Sequence, residues 1–218
     1  MRIILLLFFL SSQASAGDYR WLTVDPTDTI AKRFTPPDGF KRADVPVEGF
    51  AHWLRGLPLK PRGVPVLLFN GQQKPLQSVH ASVIDIDVGK KDLQQCADAV
   101  MRLRAEFLFS RDRSRDICFR FTSGDKARWE SWREGARPKV TGNKVRWVEG
   151  SKKDPSYGNF RGYLTELSVW AGTASLAKEL KPVADLKQIA AGDVFIQGGF
   201  PGHAVLVVDV ARNSKGEQ

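Results

Sequence analysis

The chain has little of what most reactive centres are built from. Its 218 residues include two cysteines, three histidines and two methionines. No Cys/His cluster has zinc-ligand spacing, and no glycine loop has the pattern that cradles phosphate. The sequence therefore calls for no metal and no cofactor. After the first ten residues no segment approaches the roughly 20 apolar residues of a membrane helix, so no integral membrane anchor is expected. Internal repeats and low-complexity tracts are absent. The basic residues (Lys60, Arg62, Lys90, Lys91, Arg111, Arg113, Arg115, Arg133, Arg137) are spread along the chain rather than gathered with aromatics, which argues against nucleic acid as a partner.

What is present begins with an export signal. Arg2 gives a positive start, Ile3 to Leu10 an apolar core, and Ala14-Ser15-Ala16 a small-residue cleavage site. No cysteine follows the apolar core to take a lipid. Cleavage near Ala16 predicts a mature protein in the periplasm or outside the cell. Residues 17–218 are expected to form a single α+β domain, and a hydrophobic content of 42% suffices for its core. The net charge of +9 favours anionic partners, and outside the cytoplasm these are cell-envelope polymers or peptides. The sequence leaves the oligomeric state open.

Residues 17–78 are rich in proline and glycine and predict short elements, with a helical turn or two at Glu48 to Arg55. Val64 to Asn70 and Val79 to Val88 read as strands separated by a turn at Gly71-Gln72. A helix is predicted next, with Asp92 as N-cap, Gln95 completing a capping box, and Leu93, Cys96, Val100, Leu103 and Phe107 on one face. "DICFRFTSG" (116–124) alternates as a strand. Residues 125–160 predict a helix followed by a strand, and their tryptophans 129, 132 and 147 are assigned to packing before sugar stacking. "NFRGYLTELSVWAG" (159–172) reads as a helix stopped by glycine, and "TASLAKELKPVADLKQI" as a shorter one that Pro182 bends or ends. Asp193 to Gln197 and His203 to Val210 close the pattern as two strands. "ARNSKGEQ" (211–218) has hairpin-turn composition with no returning strand, so the domain is expected to be truncated at its C-terminus.

Two cysteines in an exported chain raise the question of a disulfide. Cys96 is predicted in the first turn of its helix, and residues 96–109 carry the chain about 20 Å away at 1.5 Å per residue. Cys118 lies only two residues into the returning strand, whereas a bridge needs Cα atoms within about 7 Å. The spacing therefore argues for two free thiols. Cys118, between Ile117 and Phe119, reads as a small buried hydrophobe. Cys96 stands where unpaired backbone N–H groups and the helix dipole stabilise a thiolate.

A thiol nucleophile also needs a base, commonly imidazole. His203 opens a strand beside the glycine turn of "GDVFIQGGFPGHAVLVVDV", which would give it fixed position and solvent access. His52 and His80 lack that context and read as structural. A cysteine at a helix start followed in the chain by a histidine at a strand start is the papain-like layout. "GDVFIQGG" and "PGHAVLVVD" resemble the strand–turn–histidine–strand of NlpC-type and CHAP-type cell-wall peptidases and amidases. The longer text, including "FAHWLRGLPLKPRGVPVLLFNG" and "IDIDVGKKDLQQCADAVMRLRAEFLF", resembles a bacterial family catalogued as domain of unknown function 4846, which brings no established activity.

The papain-like resemblance implies an NlpC-like helix packed on an antiparallel sheet, with helices inserted between strands. It implies Cys96 as nucleophile and His203 as general base, with a histidine-orienting residue on a later strand beyond residue 218. Gln95 or Gln77 could donate to an oxyanion. Asp209, six residues along the same strand and about 20 Å from His203, could not orient its ring. "QQCAD" departs from the aspartate-cysteine-small-residue pattern of NlpC enzymes. Asp85 and Asp87, alternating on a strand, read as a solvated face rather than a metal pair. Two functions follow as expectations: an exported thiol hydrolase acting on a cell-envelope amide such as those of peptidoglycan, or a non-catalytic binding module on the same frame.

Overall fold

The computed structural model describes residues 18–218. The signal-peptide reading falls on residues 1–16, outside the described residues. Among the described residues the longest helix is the one the apolar spacing predicts, α3 (Cys96–Ser110). Val100, Leu103 and Phe107 on its predicted face are buried in the core, together with Met101 and Leu108. Around it lie α1 (Ile30–Arg33), α2 (Phe50–Arg55), α4 (Trp129–Arg133), α5 (Tyr157–Trp170) and α6 (Thr173–Glu179). α2 fulfils the helical turn expected at 48–55. Ser156 caps α5 by accepting from the Asn159 N–H. α6 ends at Glu179, before Pro182 can force a kink.

Among the described residues the strands form four separate antiparallel pairs instead of the one continuous sheet expected. β1 (Phe40–Arg42) pairs with β8 (Ala211–Asn213), β2 (Cys118–Arg120) with β3 (Lys126–Arg128), β4 (Ala136–Thr141) with β5 (Lys144–Glu149), and β6 (Val194–Gln197) with β7 (His203–Leu206). The composition is α+β. Residues 211–213, read as part of a turn, instead close on a strand near the start of the described chain. Asn213 then turns the chain by accepting from the N–H groups of Lys215 and Glu217.

Three further expectations are corrected. Val64 to Asn70 and Val79 to Val88 form no strands, only isolated bridges at Leu67–Gln73 and Leu59–Ile84. Leu67, Leu68, Phe69 and Val79 stay exposed, so no packing holds the segment in a ladder. Residues 125–160 hold a strand, a short helix and a full hairpin. A two-residue turn, Gly142-Asn143, joins β4 to β5, with Gly142 at φ 58. The final strand stops at Leu206, not Val210.

The tryptophans of the middle segment pack as expected. Trp129 and Trp132 are buried, and Trp147 stacks on Phe121 with ring centroids 6.0 Å apart. Aromatics dominate the core, with Phe109, Phe160, Trp129 and Tyr163 linked by a chain of ring contacts between α3, α4 and α5.

Candidate functional site

The site is built at the start of α3, and the helix begins later than the sequence suggests. Asp92 is not the N-cap. Gln94 takes φ 57, a left-handed conformation that no α-helix continues through, and Gln95 caps instead. Asp98, the third helical residue, reaches back and accepts the Gln95 N–H at 3.0 Å. Cys96 is therefore the first helical residue, one turn nearer the free N–H groups than the sequence implied. Both cysteines are free and half-buried, and no disulfide joins Cys96 to Cys118.

What holds Gln94 in its unusual conformation is a charge cluster centred on the buried Arg102 and Glu106. Arg102, 3% exposed, donates to the Gln94 side-chain oxygen and to the Asp87 carbonyl. It also donates to Asp87 Oδ2 at 2.9 Å and Glu106 Oε1 at 3.3 Å. Arg161 donates to the other Asp87 oxygen at 2.8 Å, and the Tyr157 hydroxyl to Glu106 at 2.9 Å. The cluster ties the 87–95 segment to α3 and α5 and so sets where the chain enters the helix. Burial pushes the Glu106 carboxyl above its usual range, against the pull of Arg102 and Tyr157. Burial does the same at Asp98. At Asp87 burial also pushes upward, but Arg102 and Arg161 outweigh it and hold the carboxyl below its usual range. Asp85 lies 3.7 Å from Lys60, so both aspartates answer cations of the protein. Among the described residues no group of three His, Cys, Asp or Glu side chains could hold a metal.

The histidine comes from the other end of the chain. β6 and β7 form a ribbon that packs on α3. Within it Ala204 is buried, and Val194, Ile196 and Leu206 pack against the core. The alternate residues Phe195 and Val205 are about half exposed, and His203 is exposed with them. The fold thus brings the backbone of β7 onto the helix that Cys96 opens, while strand alternation assigns His203 to the outward set. His203 is the first residue of its strand, and both strands are edges, so its ring stands at the open end of the ribbon.

The turn that presents His203 leaves no room for a side chain. A Cβ at Gly202 would overlap the Thr173 hydroxyl and come within 2.5 Å of the Gly199 carbonyl oxygen and 2.8 Å of that of Gln197. The Thr173 hydroxyl donates to the Gly199 carbonyl at 3.0 Å, pinning the turn to the start of α6. Gly202→Ala is therefore expected to cost about 1–3 kcal/mol. In a domain of this size that lowers Tm by roughly 5 °C, measurable by thermal denaturation. An unchanged Tm would mean that the turn re-forms without loss.

The remaining candidates separate clearly. The Gln77 amide is spent on its own loop: its oxygen accepts from the Val66 N–H at 2.9 Å, and its nitrogen donates to the carbonyls of Val66 and Lys74. It is withdrawn as an oxyanion donor. Gln95 is exposed beside Cys96. Asp209 accepts from Arg42 and Arg55, each at 2.6 Å, and has no part in orienting His203. His52 lies in α2, and His80 in a loop with a buried Nδ1 that has no hydrogen-bond partner among the described residues. Sequence reasoning missed Gln197, which stands directly opposite His203 in the register. Opposed residues in an antiparallel pair share a face, so its amide is a neighbour of the imidazole. Counting outward from the 198–202 turn would have found it.

Comparison with known proteins gives a family and nothing finer. Residues 30–218 match the family model described as Domain of unknown function (4846). No curated protein and no solved structure matches the chain. No helix among the described residues is long and apolar enough to cross a membrane.

Proposed function

The chain belongs to the family of domain of unknown function 4846, a membership that carries no activity with it, and we propose from its own side chains that it is an exported thiol hydrolase cleaving a cell-envelope amide. Cys96 attacks the carbonyl carbon and forms a thioester as the amine leaves. His203 stands on the outward face of β7 and makes no hydrogen bond to Cys96 among the described residues, so it takes the thiol proton once its ring turns past the open end of the ribbon toward the sulfur. It passes that proton to the amine, and then draws one from the water that frees the acyl group. Gln197 orients the imidazole through its amide oxygen, and Gln95 donates to the oxyanion. One observation carries the reading: a half-buried thiol at the first position of a 15-residue helix, against which the histidine-bearing ribbon packs. The test is incubation of purified protein with peptidoglycan fragments, with mass spectrometry reading amide cleavage as the gain of one water.

The outward face of the ribbon favours a second reading, a non-catalytic module that binds a cell-envelope peptide. Phe195 and Val205 are opposed there and about half exposed, and Phe200, in the turn that joins the two strands, is 85% exposed. Apolar side chains gathered on a surface commonly mark a binding site. Under this reading fragments bind intact and the Cys96 thiol is chemically ordinary.

A further inference from the structure

Charge that is scattered along the sequence is gathered by the fold. The β4–β5 hairpin contains four basic residues and one acidic one, and its register sorts them. Val140 pairs with Val145 and Pro138 with Trp147, and these residues lie half-buried, Trp147 on Phe121. The alternate set is Arg137, Lys139, Thr141, Lys144, Arg146 and Val148, with no acid among them. Arg137 is spent at home, stacked 3.9 Å over Trp132 and donating to the carbonyls of Trp132 and Ala136. Lys139, Lys144 and Arg146 are exposed and make no ion pair among the described residues.

Folding gains nothing from this arrangement. Lys139 and Arg146 stand directly opposite each other, and like charges in that position destabilise a strand pair. Side chains on one face repeat about every 7 Å along a strand and stand about 5 Å apart across the pair. The result is a flat patch of three unneutralised cations. Val148 is its one apolar side chain and no aromatic lies on it, so it lacks the apolar anchor of a membrane-surface element and the stacking platform of a single-strand nucleic-acid binder. Charge is all the patch offers.

We infer that the outer face of the β4–β5 hairpin is a docking surface for a soluble linear polyanion, held by Lys139, Lys144 and Arg146. It is independent of the thiol chemistry proposed above, and no step of that reaction uses it.

Long-chain inorganic polyphosphate is the probe, with orthophosphate and anionic phospholipid vesicles as comparison arms. Binding to polyphosphate should weaken with salt, with a log–log slope of about −2 for three contacts. Orthophosphate, lacking multivalency, should not compete at equal phosphate concentration. Lys139→Glu should lower polyphosphate affinity about tenfold relative to Lys215→Glu, which changes the net charge equally but lies outside the hairpin. The same Lys139→Glu variant should keep or raise Tm, because it replaces an opposed like-charge pair by an attractive one. Equal weakening by the two variants, preference for vesicles over polyphosphate, or no polyphosphate binding at low salt would each overturn the inference.

Discussion

Cys96→Ala is expected to reduce amide cleavage at least about a thousandfold, to the level that binding and oxyanion stabilisation alone sustain. The size of the effect follows from the role. A thiol that forms the acyl intermediate has no substitute once the sulfur is gone, whereas a residue that only contacts substrate costs far less. Because Cys96 is half-buried, its truncation removes little packing, and Tm should fall by no more than a few degrees. His203→Ala should lose nearly as much activity, and the double variant should lose scarcely more than either single one, because the two groups act as a unit. Cys118→Ala, on β2, is the control and should retain activity. A folded Cys96→Ala protein that cleaves at the wild-type rate would remove the mechanism.

Arg102→Met carries the largest expected cost in stability, about 3–5 kcal/mol, or roughly 10 °C in Tm. The arginine is buried against Glu106, itself 1% exposed, and removing it strands that carboxylate with Tyr157 and a guanidinium at 3.9 Å. Arg102→Met with Glu106→Leu should recover much of the loss, since removing both charges removes the desolvation problem.

The pH dependence has a definite sign. Glu106 and Asp98 bind protons more tightly folded than unfolded, so their contribution is fully present below the ordinary carboxylate range and is lost as pH rises through their raised values. Asp87 acts oppositely: its contribution is present above the ordinary range and lost as pH falls through its lowered value. Arg102→Met should therefore be most destabilised at neutral and higher pH. Thermal denaturation across pH reads both the size and the slope. Because Arg102 also holds Gln94, activity should fall before the fold does.

Some of this was legible in the sequence, for physical reasons. α3 was readable because Val100, Leu103 and Phe107 recur at the helical period and all are buried. Its start was not, because Asp92 has the chemistry of an N-cap, and what displaces it is a tertiary contact from Arg102 to a left-handed Gln94. The β6–β7 ribbon was readable as two apolar runs on either side of a glycine turn, while the exposure of its alternate residues was not. Residues 64–70 and 79–88 have strand composition too, yet no partner strand packs on them, and a side chain, Gln77, satisfies backbone groups that a ladder would have taken. The pairing of β1 with β8 joins residues about 170 positions apart, which no local pattern encodes. At the site, Cys96 and His203 were legible as residue types in their places. Gln197 could have been found by counting outward from the 198–202 turn, whereas the facing of His203 needed the burial of its neighbours.

The central claim is that the Cys96 sulfur and the His203 imidazole act together, and alkylation of the native protein tests it most directly. Iodoacetamide at neutral pH, followed by peptide mass spectrometry, reads the rate at each cysteine separately. The account predicts that Cys96 reacts at least about tenfold faster than Cys118 in the wild type, and that His203→Ala removes most of that advantage, leaving only what the helix start supplies. Equal rates at the two cysteines, or a fast Cys96 untouched by loss of His203, would contradict it.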